Sequence, residues 1–148
     1  MLLITSCCIS HAGYTQDQWV TWNFNAEPIS NNEIVLTIVA NLEPGWHIYT
    51  KDLPADGPQP TRIFFEDSDS YAPIGKLIER GEKTEFYDEI YEMNIGWYVG
   101  TVSFQQKFVL HQPIASIQGR IEYLTCSEVC VPGRREFVVN VNRLKKDP

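Results

Sequence analysis

Apolar and polar residues alternate along most of this chain with a period of two, the pattern of β-strands that bury one face. Over residues 19–25 the run Trp-Val-Thr-Trp-Asn-Phe-Asn interleaves aromatic with small polar residues, and Pro28 with Asn31 and Asn32 then supplies a turn. Residues 33–41 place Ile34, Leu36, Ile38 and Ala40 on one face and Val35, Thr37 and Val39 on the other, which predicts a central strand covered on both sides. Pro44-Gly45 makes the next turn, and Trp46-His47-Ile48-Tyr49-Thr50 returns as a strand rich in aromatic and β-branched residues, completing a hairpin. Further strands are predicted over 61–65, 71–77, 101–110, 119–124 and 136–141. In 101–110 the residues Val102, Phe104, Phe108 and Leu110 share a face that only Gln106 interrupts.

Two stretches break the pattern. Residues 51–60 hold Pro54, Pro58, Pro60 and Gly57, which cannot ladder as a sheet and predict a long, stiff loop. Residues 78–100 are less regular, and Glu82-Lys83-Thr84-Glu85-Phe86-Tyr87-Asp88-Glu89 sets an aromatic pair between acids. This reads as a functional loop; the plain alternative is an edge strand with Phe86 or Tyr87 turned inward. No stretch shows convincing helical periodicity. Eight or nine short strands with turn residues between them predict an all-β domain, an immunoglobulin-like antiparallel β-sandwich over residues 17–143, followed by a charged tail over 144–148.

Composition, at 43% hydrophobic and 21% charged, fits one globular domain with its own core. A net charge of -7 argues against nucleic acid or an anionic membrane as partner, since both repel such a surface. The start, Met1-Leu2-Leu3-Ile4-Thr5-Ser6-Cys7-Cys8-Ile9-Ser10-His11-Ala12, resembles the apolar part of a signal peptide without its basic beginning, so residues 1–16 are expected to form an export leader. Ile4-Thr5-Ser6-Cys7 doubles as a weak lipoprotein site, and lipidation at Cys7 is the one expected route to a membrane, because no later run of about 18 apolar residues exists. With the leader removed, Cys126 and Cys130 are the remaining cysteines, an even number suited to an oxidising compartment.

The sequence Tyr123-Leu124-Thr125-Cys126-Ser127-Glu128-Val129-Cys130-Val131-Pro132-Gly133 spaces those cysteines for a tight strand connection that lets them bridge. So short a ring constrains the unfolded chain by only about 2 kcal/mol, against about 4.7 for a hundred-residue loop, so the bridge is a weak staple. Thiol exchange needs a thiolate, a second sulfur to resolve the mixed disulfide, and controlled access; the pair supplies the first two. Glu128 lies between the cysteines, Arg134 and Arg135 follow them, and no strong activator of a thiolate is evident. Spacing alone leaves open a structural disulfide, a redox pair and a metal site.

Three blocks are more specific. Glu43-Pro44-Gly45-Trp46-His47-Ile48-Tyr49 followed by Gly57-Pro58-Gln59-Pro60-Thr61, then Glu85-Phe86-Tyr87-Asp88, then Tyr123-x-x-Cys126 with Cys130-x-Pro132, resemble in order the N-terminal periplasmic domain of DsbD-type thiol:disulfide interchange proteins. The resemblance implies an immunoglobulin-like fold in which Cys126 and Cys130 sit on a hairpin beneath an aromatic cap loop. Phe86 and Tyr87 match the cap, His47 and Tyr49 match aromatic positions lining the site, and Glu85 matches an acid beside it. It further implies a periplasmic thiol:disulfide oxidoreductase without metal or cofactor, in a setting such as cytochrome c biogenesis. A thioredoxin-like donor or a membrane electron conduit would reduce the pair, and oxidised periplasmic proteins would accept its electrons. By the same analogy Cys126 would form the mixed disulfide with the target and Cys130 would resolve it.

Two departures stand out: three residues separate the cysteines where the family commonly has four or five, and Pro132-Gly133 replaces a frequent double proline. Two other readings compete. One is an exported β-sandwich interaction module whose disulfide merely pins a hairpin. The other is a Cu(I) carrier, since Cys-x3-Cys is similar to the copper motif of Sco-type assembly proteins and soft thiolates suit Cu(I). That family carries the motif early and before a helix, whereas here it comes late and before a strand.

Overall fold

Alternation of apolar and polar residues becomes eight antiparallel strands in the computed structural model, which describes residues 18–142. The expected leader over 1–16, with Cys7, and the charged tail over 144–148 lie outside the described residues. In chain order the strands are β1 (Val20–Pro28), β2 (Glu33–Leu42), β3 (His47–Tyr49), β4 (Arg62–Phe65), β5 (Tyr71–Asp88), β6 (Met93–Leu110), β7 (Ile114–Cys126) and β8 (Cys130–Asn142). Side by side they run β1-β2-β6-β3-β7-β4, with β5 paired to β6 and β8 paired to β7.

The apolar faces of β1, β2 and β6 meet those of β7 and β8 across one core, the immunoglobulin-like arrangement that the alternation predicts. Ile34, Leu36, Ile38 and Ala40 of β2 and Val102, Phe104 and Phe108 of β6 are almost fully buried there. Trp22 of β1 crosses the core to Tyr123 of β7, ring centroids 5.2 Å apart, and Phe24 stacks on Phe137 of β8 at 4.9 Å. β2 is central, between β1 and β6, but only one of its faces is buried; Val35, Thr37 and Val39 on the other are half-buried. Gln106, the polar interruption of the β6 face, is buried, and its amide nitrogen donates to the carbonyl oxygens of Ile74 and Lys107, both at 3.0 Å. Burial of the amide is therefore offset by hydrogen bonds.

Residues 78–100 differ from the expected loop. They complete two 18-residue strands, and β5 and β6 form one long hairpin that turns between Asp88 and Met93. On the β5 arm pairing of the backbone rather than a buried face holds the outer half: most of 79–88 is exposed, so that strand offers no apolar alternation to read. The ladder also slips between Ile74 and Ile78 and between Gly81 and Lys83, next to Gly75 and Gly100 at φ 72° and 68°. Such bulges use glycine's access to positive φ and break the period of two.

The proline-rich segment 51–60 forms no strand, as expected. The Lys51 N–H donates to Glu79 Oε2 at 3.0 Å, which ties the start of the loop to β5, and the Gly57 N–H donates to the Pro54 carbonyl at 3.0 Å in a turn within the loop.

Candidate active site

β3 is only three residues long, yet it bonds to β6 on one side and to β7 on the other, and so joins the two halves of the sandwich. Its register sets the site. Val99 of β6, His47 of β3, Cys126 of β7 and Cys130 of β8 stand in one row across four strands, and Tyr49 stands opposite Trp97 two positions along, on the same face. Residues opposed in this way share a face of the sheet. Two threonine hydroxyls fix β3: Thr61 Oγ1 donates to the Tyr49 carbonyl at 2.6 Å and Thr125 Oγ1 to that of His47 at 3.3 Å.

Cys126 and Cys130 form a disulfide with Cα atoms 4.1 Å apart, closing the turn Ser127-Glu128-Val129. Cys126 is 1% exposed, whereas Cys130 is exposed at the start of β8, a strand paired only with β7. The analogy gave Cys126 the contact with targets, but Cys130 is the one of the two that faces solvent.

Around Cys126 lies a second apolar cluster, separate from the main core: Tyr49 and Ile95 are buried with it, and Leu53, Phe86, Met93, Trp97 and Leu124 pack against them. Trp97 links its parts. His47 stacks on it with centroids 4.0 Å apart, Tyr49 meets it edge-on at 6.3 Å, and Phe86 packs against it at 4.5 Å and 61°. The Tyr49 hydroxyl lies 4.0 Å from Cys126 Sγ, and with the sulfur oxidised only the phenol carries a hydrogen to donate.

His47, Tyr49, Phe86 and the cysteines thus converge on one face. Glu85 and Tyr87 do not: strand alternation turns them to the other side of β5, where Glu85 is exposed and paired to Lys83 at 2.8 Å and Tyr87 is 58% exposed. Trp97, Ile95, Met93, Leu53 and Leu124 were absent from the sequence reading. The signal available for three of them was a period of two in Met93, Ile95 and Trp97, hidden within the stretch expected to be irregular.

Burial raises the Tyr49 pKa, and the charges of Tyr91 and Asp88 raise it further, so the phenol keeps its proton and remains a donor. Burial lowers the His47 pKa below 6.5, and its Nε2 is enclosed without a hydrogen-bond partner. The imidazole is neutral in the folded protein, while the unfolded chain takes up its proton first on acidification. Stability from this residue is complete above about pH 6.5 and is lost as pH falls toward the lower folded pKa. Thermal melts between about pH 7 and pH 5 will show a shallower loss for His47→Gln than for the wild type; equal slopes would refute this origin.

An immunoglobulin-like sandwich with a cysteine pair on its terminal hairpin and aromatic rings over one sulfur is a domain built for thiol–disulfide interchange. The chain belongs to the DsbD N-terminal family: the model described as thiol:disulfide interchange protein DsbD, N-terminal, matches residues 15–142. Among solved structures, the N-terminal periplasmic domain of ScsB from Proteus mirabilis superposes with a TM-score of 0.61 at 17% identity, over 88% of this chain and 49% of that one. This chain therefore spans about half the length of the ScsB chain. The reduced N-terminal domain of DsbD from Neisseria meningitidis superposes with a TM-score of 0.53 at 14% identity, over 86% of this chain and 89% of that one. At these identities the likeness concerns the fold. No curated protein sequence matches the chain.

Proposed function

We propose that this domain relays electrons in the periplasm by thiol–disulfide exchange at Cys126 and Cys130. A thioredoxin-like donor or membrane electron conduit reduces the pair, and oxidised periplasmic proteins reoxidise it. The observation that carries this reading is the asymmetry of the bridge, one sulfur-bearing residue exposed and the other enclosed under aromatic rings.

On reduction, a donor thiolate attacks Cys130 Sγ, the bond to Cys126 breaks, and a donor–Cys130 disulfide forms. Cys126 leaves as a thiolate, accepts a hydrogen bond from the Tyr49 hydroxyl and takes a proton from solvent. The donor's second thiol then attacks the donor sulfur of the mixed disulfide and expels Cys130. The donor has become a disulfide, and two electrons and two protons have passed to this pair. Delivery reverses the order: the Cys130 thiolate attacks the acceptor's disulfide, and Cys126 attacks Cys130 Sγ to release the acceptor as a dithiol. The apolar cluster around Cys126 limits access to that sulfur, which suits a dithiol held among oxidants. Phe86 on Trp97 shields it, and partner docking displaces Phe86.

Equilibration with a thiol buffer of known potential, followed by quantitation of the two cysteines, tests the reading. The expected reduction potential lies above about −300 mV, with turnover by reduced thioredoxin. A lower potential without turnover would leave an exported interaction module with a structural staple.

A further inference from the structure

In the oxidised domain His47 Nε2 is enclosed and unpaired, although the residue as a whole is partly exposed. The imidazole therefore reaches from solvent into the cluster around Cys126. It is also held still. The ring stacks on Trp97 with centroids 4.0 Å apart and 25° between planes, and meets Tyr49 edge-on at 5.4 Å. Its backbone carbonyl accepts the Thr125 hydroxyl. An enclosed nitrogen without a partner is costly, so one held this firmly points to a hydrogen that the oxidised form cannot supply.

Register places such a hydrogen. His47 of β3 stands opposite Cys126 of β7, and residues opposed in this way carry their Cβ atoms about 5 Å apart on one face of the sheet. In the disulfide the Cys126 sulfur has no hydrogen to give. In the dithiol it has one, and the freed sulfur can turn about its own Cα–Cβ bond. The other titratable groups nearby do not compete for that proton. Tyr49, whose hydroxyl lies 4.0 Å from Cys126 Sγ, keeps its phenolic hydrogen and donates. Glu85 is exposed across β5 and paired to Lys83, Asp88 caps the N–H groups of Ile90 and Tyr91, and Glu128 is exposed in the cysteine turn. On β6, Trp97 and Val99 flank His47 without titrating, and Tyr98 faces the main core. Burial lowers the His47 pKa, so its imidazole is a neutral base at pH 7.

We propose that His47 is the proton carrier of the exchange site: Nε2 accepts the Cys126 S–H hydrogen in the dithiol and takes that proton when Cys126 resolves a mixed disulfide at Cys130. In that step the Cys126 S–H bond breaks and its proton forms an Nε2–H bond. The electron pair left on sulfur forms the bond to Cys130 Sγ, and the acceptor departs as a thiolate. The imidazolium then loses a proton to solvent. Reduction of the pair runs the same steps backwards. This inference rests on the exchange reading of Cys126 and Cys130, and names the group that moves its proton.

The test mixes reduced wild type, His47→Phe and His47→Gln with one equivalent of a symmetrical nitrobenzoate disulfide and follows chromophore release by stopped flow. Attack by Cys130 releases the first chromophore, and attack by Cys126 on the resulting mixed disulfide releases the second. At pH 7 His47→Phe, which can still stack on Trp97, is expected to slow the second phase about 100-fold and leave the first within about twofold, the low end of what a positioned base contributes. From pH 6.5 to 7.5 the wild-type second phase should vary by less than about twofold, because its base is already neutral, whereas both variants should rise about tenfold with the thiolate fraction. His47→Gln removes the base with a smaller change of shape and carries the same test should His47→Phe not fold. Parallel pH profiles for wild type and variants would overturn the proton role, whatever their absolute rates, and leave the exchange reading standing. A wild type that releases no second chromophore would overturn both.

Discussion

The Cys126→Ser variant will capture a thioredoxin-like partner as a stable mixed disulfide through Cys130, and Cys130→Ser will capture it far more slowly. In the first variant the remaining thiol of the pair is exposed on an edge strand, and among the described residues no second cysteine is left to resolve the product. In the second the remaining thiol is that of Cys126, 1% exposed in the oxidised protein and packed with Tyr49 and Ile95. Attack there requires local opening of the aromatic cluster. A difference of about 100-fold is expected, which at 1.36 kcal/mol per tenfold is an opening cost of about 2.7 kcal/mol. The measurement is the rate of chromophore release when each reduced variant meets a thioredoxin that lacks its resolving cysteine and carries an aryl disulfide on the other. Equal rates, or a faster Cys126, would overturn the assignment of Cys130 as the entry sulfur. The same outcome would undo the leaving-group role of Tyr49, which needs Cys126 to be the sulfur released.

Gly133→Ala will lower the stability of the oxidised domain by about 3 kcal/mol, the upper end of the usual cost of overpacking. Gly133 stands opposite Tyr123 on the paired strands β7 and β8, and a Cβ there would fall 2.2 Å from the Tyr123 ring. The ring cannot give way readily: Tyr123 is fully buried and packs against Trp22 across the core. Relief requires β8 to move from β7, and Cys130 lies three positions away on the same strand. For a domain of this size the loss corresponds to a fall in Tm of about 10 °C, read by thermal denaturation of the oxidised protein. A Tm within about 2 °C of wild type would mean that Tyr123 repacks freely.

Gly133 shows how much was legible in advance. The Pro132-Gly133 pair reads as a strand boundary, yet here both residues continue β8, because glycine opposite tyrosine leaves room for the ring to lie over the backbone. Conversely, β1, β2 and the inner half of β6 follow the alternation closely, since each buries one face in the shared core and the sequence must record that burial. The β5 arm of the outer hairpin buries little and leaves little record.

The site divides in the same way. His47, Tyr49, Phe86 and the two cysteines were found because they sit in short motifs, each recognisable within a few neighbouring residues. Ile95 and Trp97 lie on β6 and Leu124 on β7, and register across β3 is what brings the two β6 residues to Cys126, which no local pattern specifies. Glu85 and Tyr87 belong to the cap motif but take the opposite side of the strand from Phe86, a consequence of pairing with β6.

By itself, then, the amino-acid order determined an all-β domain, its family, and a cysteine pair free to bridge across a short turn, because these depend on period, turn residues and spacing within a few positions. Which of the two cysteines faces solvent was decided only by the tertiary structure. Cys126 and Cys130 flank the same turn and are locally equivalent. β3 lies between β6 and β7 and brings His47, Tyr49 and, from β6, Trp97 to Cys126, while among the described residues β8 has no strand on its far side and leaves Cys130 at the open edge of the sheet.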